Sequence, residues 1–301
     1  MNEKTKARIA VLLGNFFFGT SVIAVKHISP SLIPPLALTA VRICSASFLF
    51  WMMFFMNPVA TGIVRKDYLR LFLCALAGIT MNQTFSVLGM AYTSPIHASL
   101  LILTTPITIT FLAAWFLGER LTPLKLIGLL LGISGGTLLV FARDISDIAG
   151  DQQSLGDMFV IMGAISYSTY VVSIRPLMMK YKANHILQWV FLFGMFASVP
   201  IGWHDLNRVP WQDFDFLSWF CLLYVVLGGT FFAYRLMNYS INKLGAAVTG
   251  AFIYTQPFFT TVASTLLLHE RLSTPKIMAA VLIMSGVFLA NFKKRTEPVK
   301  A

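Results

Sequence analysis

Long apolar runs alternate with short polar segments along the whole chain, and this pattern predicts ten helices. The runs fall at about 7–26, 33–56, 68–92, 96–117, 123–141, 156–178, 185–203, 217–240, 246–268 and 275–292. Each is near the ~20 residues that cross ~30 Å of hydrocarbon at ~1.5 Å per residue. Helix is the expected form, because a backbone group in lipid must find its partner within its own segment. The first run is long and nine follow it, so it reads as a span and not as a cleavable signal.

The pattern also repeats. Residues 95–123 carry a small-residue run, a mid-segment proline and Glu119-Arg120-Leu121; residues 246–275 carry the same features with Glu270-Arg271-Leu272. Pro106 falls on Pro257 at an offset of 151 residues, and Gly78 falls on Gly229 at the same offset. Gly14 to Lys26 resembles Gly163 to Arg175 at an offset of 149. The expected organisation is a first repeat over 1–142, an external linker over 143–155, a second repeat over 156–293 and a basic tail over 294–301. Five spans per half is an odd number, so the second half enters the membrane from the opposite side. Such inverted repeats mark transporters that open one site alternately to each face.

Charge fixes the orientation. With the N-terminus inside, fifteen Lys and Arg residues lie on the inner side and five on the outer side. That is a positive-inside bias with both termini cytoplasmic. It also accounts for the net charge of +11 without nucleic acid. Only 12% of residues are charged against 57% apolar, too few charges to cover a soluble surface. Cys44, Cys74 and Cys221 stand alone in apolar segments, which argues against a disulfide framework.

Gly19-Thr20-Ser21 to Lys26, Arg42, and the repeated run at 98–121 and 249–272 together resemble the drug/metabolite transporter superfamily in its ten-helix form with two EamA domains. The resemblance spans nearly the whole chain. It implies a multi-pass protein of the inner cell membrane that exports amino acids or other small metabolites. It also implies a path lined by spans 1, 3, 4, 6, 8 and 9. Phe18 stands where members commonly carry Trp, so substrate choice does not carry over from relatives.

Polar residues at mid-span are the candidate substrate contacts. They are Asn15 and Thr20 in span 1; Asn82, Gln83 and Ser86 in span 3; and Thr104 and Thr105 in span 4. In the second half they are Tyr167 and Tyr170 in span 6, Tyr234, Arg235 and Asn238 in span 8, and Thr255 and Gln256 in span 9. Arg42 lies roughly 13 Å into span 2 and reads either as a hydrogen-bond anchor or as a clamp on a substrate carboxylate. Phe85, Phe231, Phe252 and Phe259 are candidates for an aromatic wall. Pro106 and Pro257 each remove an intrahelical bond and predict paired kinks or hinges. Gly128, Gly132 and Gly136 predict a flat strip for close helix contact in span 5.

The charged groups inside the spans read as all basic, with no Asp or Glu. His97, at the outer start of span 4, is then the candidate titrating group. Without a buried carboxylate, exchange or gradient-driven export fits as well as proton antiport. The expected partners are a small, carboxylate-bearing substrate and the lipid bilayer. No nucleic acid, cofactor, metal or oligomer is called for. A membrane enzyme would need a nucleophile, metal set or paired carboxylates in facing spans, and none is found. A passive channel and a non-transporting scaffold are the remaining alternatives.

Overall fold

Helix starts are written in the local sequence. Asn2, Ser94 and Asp215 each cap a helix, accepting from the amides of Lys4, His97 and Ser218. Pro95 follows Ser94 at the first helical turn, where its missing N–H is no loss. The bonds from Ser218 hold the Asp215 carboxyl below its ordinary value.

The computed structural model describes residues 2–56, 62–117, 152–244, 249–250, 252–269 and 273–291, with scattered positions between 123 and 138. All described secondary structure is helical. The helices are α1 (Glu3–Ile28), α2 (Pro35–Met56), α3 (Arg65–Tyr92), α4 (Pro95–Leu101) and α5 (Thr104–Leu117) in the first half. The second half has α6 (Gln153–Lys180), α7 (Ala183–Leu206), α8 (Phe216–Leu244), α9 (Thr255–Leu267) and α10 (Thr274–Asn291). Seven described segments are long and apolar enough to cross a membrane. Phe55, Trp115, Phe116 and Phe216 are among many large apolar side chains left exposed, as lipid contact requires. The protein is thus an all-helical, multi-pass membrane protein. Most of predicted span 5, with Gly132 and Gly136, lies outside the described residues, as do the two Glu-Arg-Leu turns.

Spans 4 and 9 are interrupted rather than kinked. The helix stops after Leu101, turns at 102–103 and restarts at Thr104. Pro106 has no amide to offer Ile102 O, so Thr105 N takes that carbonyl at 2.9 Å in a tighter turn. Thr104 Oγ1 bonds Leu101 O at 2.8 Å, and 151 residues later Thr255 Oγ1 bonds Phe252 O at 2.7 Å. Each proline therefore sits in the first turn of a half-helix, where a missing donor costs little.

The helix contacts follow one plan. α1 packs chiefly on α8 and α9, while α6 packs on α3 and α5, and α2 lies along α7. Exchanging first-half helices for their second-half counterparts maps these pairings onto each other. Two large apolar clusters result. One, with Ile28, Val87 and Leu100, lies toward the end of α1. The other, with Phe50, Leu71 and Ile186, lies toward its start.

Candidate functional site

Between the two apolar clusters lies a cavity of about 100 Å³ lined by both halves. α1 gives Asn15, Phe18, Ser21 and Val22, at spacings that keep one helical face inward. Asn15 is 0% exposed, and its Nδ2 donates to Val11 O at 2.9 Å while its Oδ1 has no partner. α3 gives Asn82, Gln83 and Ser86. The buried Gln83 amide lies beside the Tyr234 hydroxyl and keeps donor and acceptor capacity for a polar ligand. Thr105, Tyr167, Tyr234 and Gln256 complete the polar lining.

The cavity wall is organised by two π-helical turns, Leu76–Met81 in α3 and Leu227–Phe232 in α8. They are 151 residues apart in register. A π turn leaves carbonyls out of the regular ladder, and such turns are frequent at functional sites. Tyr234 OH shares its one proton between Gly78 O at 3.0 Å and Asn82 Oδ1 at 3.1 Å. Arg42 Nη2 donates to Gly229 O at 3.3 Å, and its Nε to Thr230 Oγ1 at 3.0 Å. Neither glycine has room for a side chain. A Cβ on Gly78 would lie 2.3 Å from the Tyr170 ring, and one on Gly229 would lie 2.5 Å from Ser21 Cβ.

Arg42 is 5% exposed and lines the cavity. It has no acidic partner among the described residues. One edge of its guanidinium is spent on the π turn of α8, and Nη1 makes no hydrogen bond. The side chain thus anchors one half to the other and still presents a cation to the cavity.

The structure redistributes other predicted residues. Tyr170 OH bonds Asn238 Oδ1 at 3.0 Å, outside the cavity wall; both brace α6 against α8. Thr104 and Thr255 cap the broken turns described above, leaving their neighbours Thr105 and Gln256 to face the cavity. Thr20 bonds Phe16 O and the Tyr224 hydroxyl between helices, off the lining face. Arg235 is exposed in a separate vestibule of about 850 Å³ with Lys180, Lys182, His185 and Asn242, at the end where α1 begins. The aromatic wall is Phe18, Tyr167 and Tyr234. Phe85 stacks on Phe159, Phe231 packs on Phe50 and Phe259 on Phe16; Phe252 packs beside Val11 and Ile253.

One expectation is overturned. A carboxylate does lie inside a helical span: Asp157, in the second turn of α6, is 1% exposed. Its Oδ1 accepts from Thr93 Oγ1 at 2.9 Å, and its Oδ2 faces His97 Nε2 at 3.6 Å. Asp157 falls within the predicted span at 156–178, and α6 starts three residues earlier still, so the carboxylate lies past the first helical turn. Gln153, Asp157, Val160 and Ala164 share one helical face, and that spacing was the available signal.

The sequence pattern of the EamA-like transporter family matches this chain twice, over residues 5–141 and 154–292. The chain belongs to that family. An uncharacterized transporter of Archaeoglobus fulgidus is 24% identical over 98% of this chain and 99% of its own length. The uncharacterized transporter YetK of Bacillus subtilis is 24% identical over 98% of this chain and 89% of its own. A chloroplastic WAT1-related protein of Arabidopsis thaliana is 26% identical over 98% of this chain and 72% of its own. A solved crystal structure superposes with a TM-score of 0.66 at 20% identity, covering 94% of this chain and 96% of that one; it speaks to the fold alone. A membrane transporter is what this EamA-like chain is, and the cavity between its halves is the place to look for cargo.

Proposed function

We propose that this chain is a secondary transporter of the inner cell membrane that exports small amphipathic metabolites, such as amino acids or related organic anions, by alternating access. The observation that carries this reading is the cavity between the halves. Its wall combines the Arg42 cation, the Gln83 amide and three aromatic rings. The N-terminal turns of α5 and α9 meet the same space through Thr105 and Gln256. Broken helices that aim their positive ends at an anionic group are how other transporters bind carboxylates. A cation, two helix ends and an apolar rim suit a small acid with an apolar body. The basic face, where α1 begins, is the cytoplasmic one on the charge bias.

A thermal-shift screen of purified protein against amino acids and organic acids is the first test, since a ligand that binds only the folded state raises its stability. A hit should then show saturable counterflow in proteoliposomes. Linear, unsaturable flux would favour a channel, and no flux of any ligand that binds would remove the transport reading of this cavity.

A further inference from the structure

At the end of the cavity away from the N-terminus, four helices are tied by polar groups. Lys26 of α1 donates to the carbonyls of Met90, Ala91 and Thr93 at the end of α3, at 3.2, 3.4 and 3.1 Å. Thr93 donates to Asp157 of α6. Asp157 faces His97 of α4, and His97 Nδ1 meets Gln153 Nε2 of α6 at 2.6 Å. His97 and Asp157 are 0% and 1% exposed. Asp157 Oδ2 has no hydrogen-bond partner, which is an unusual state for a carboxylate oxygen held in apolar surroundings. With Gln153 donating to Nδ1, the His97 ring turns Nε2 toward that oxygen.

Each tied segment also reaches the cavity about one turn away. Val22 precedes Lys26, Met90 precedes Thr93, Ile102 follows His97 and Val160 follows Asp157. A change in the tie therefore moves the rim of the cavity directly. Opening this end requires α4 and α6 to part, and His97 and Asp157 lie between them.

We propose that His97 and Asp157 form a one-proton latch that holds this end of the cavity shut when protonated and lets it open when the proton leaves. The proposal rests on reading the cavity as the substrate path. The chemistry is a single proton transfer with water. Neutral His97 with ionised Asp157 carries one net negative charge. Neutral His97 keeps its proton on Nε2 and offers Asp157 one N–H; uptake of one proton onto Nδ1, with the Gln153 amide turned to accept it through Oε1, makes the pair neutral and turns that contact into a charge-assisted bond between two opposite charges across α4 and α6. A neutral pair is stable dry, whereas a net charge demands water or separation. Lys26 of α1 is a cation at this end, held on the Thr93 carbonyl at the end of α3. Tyr92 of α3, the exposed His27 of α1, Asp215 beside His27 at the start of α8 and Cys221 of α8 are further titratable groups at this end. α5 and α9 carry none in their sequences, and α10 presents none among its described side chains. Coupled to transport, the latch makes the carrier an exchanger of substrate for protons.

The test places a cysteine at Val22 in a background lacking Cys44, Cys74 and Cys221. Intact cells, with the far face outward, are treated with an impermeant maleimide between about pH 5.5 and pH 8.5, the range in which a histidine–carboxylate pair titrates. Rates are divided by those of the unfolded protein at each pH, which removes the thiol's own ionisation. Labelling should rise roughly tenfold with pH, the response of a latch that shifts the closed population by that factor. Asp157→Asn, which removes the negative charge, should label slowly throughout, and His97→Gln should lose the pH step. A flat profile in the otherwise wild-type chain, or the same step in both variants, would overturn the latch. If Asp157→Asn does not fold, the wild-type and His97→Gln arms decide. No substrate is needed, so a flat profile leaves flux in vesicles to judge the transport reading separately.

Discussion

Arg42 and Tyr234 do the same job in opposite halves of the molecule: each bonds the carbonyl of the glycine at the same place in a π turn, Gly229 for Arg42 and Gly78 for Tyr234. The turns sit beside the cavity, and the two donors line it. Cavity wall and helix irregularity are thereby one construction.

Arg42→Ala should remove transport and also loosen the α2–α8 contact, since it deletes two bonds and a cation. Arg42→Lys keeps the charge but loses the planar edge shared by Thr230 and Gly229, so it should rescue poorly. Counterflow and ligand-induced thermal shift separate the roles. A lysine variant that binds and transports like wild type would leave Arg42 outside substrate recognition.

Gly78→Ala and Gly229→Ala should each destabilise by roughly 1–3 kcal/mol, because the new methyl meets a ring or a backbone-proximal carbon and a helix must shift. Thermal unfolding in detergent reads this directly. Gly62→Ala is the control, as nothing lies within 4 Å of its Cβ position. Equal stability for all three would mean the close helix approach is not required.

Pro106→Ala and Pro257→Ala restore an amide at the third position of each half-helix. Helix can then grow back through the broken turn, so each variant should favour one access state at little cost in stability. The two should bias access in opposite directions, read by cysteine labelling at Thr104 and Thr255 from each face. Matching accessibility with full transport would make both prolines passive.

A reporter fused after Ala301 should be cytoplasmic, and a tag at Asn207 should be reached from outside. A C-terminus found outside would break the inverted arrangement.

The apolar runs and the repeat were legible because lipid imposes one rule on every span and each half obeys it separately. Depth in the sequence was enough to single out Arg42, Gln83 and Gln256. Depth was not enough for Thr20 or Tyr170, whose faces turn toward neighbouring helices, nor for Arg235, which opens to a different space. The π turns had no local signature. They arise where Gly78 admits the Tyr170 ring and Gly229 admits Ser21, contacts between residues about 90 and 210 positions apart. Asp157 falls inside the predicted span at 156–178, yet its pairing with Thr93 and His97 of the first half is a long-range contact that the α6 sequence does not show.

The exchange of contacts between halves has a consequence for biosynthesis. α1 emerges long before α8 and α9, the helices on which it chiefly packs. Its polar bonds reach across the chain: Ser240 Oγ donates to Ala7 O, and Thr260 Oγ1 to Gly19 O. Until those partners arrive, the inward face of α1, with the buried Asn15, has only lipid or insertion machinery to shelter it. α8 and α9 thus close the molecule over α1, and a chain truncated before α8 would leave α1 stranded.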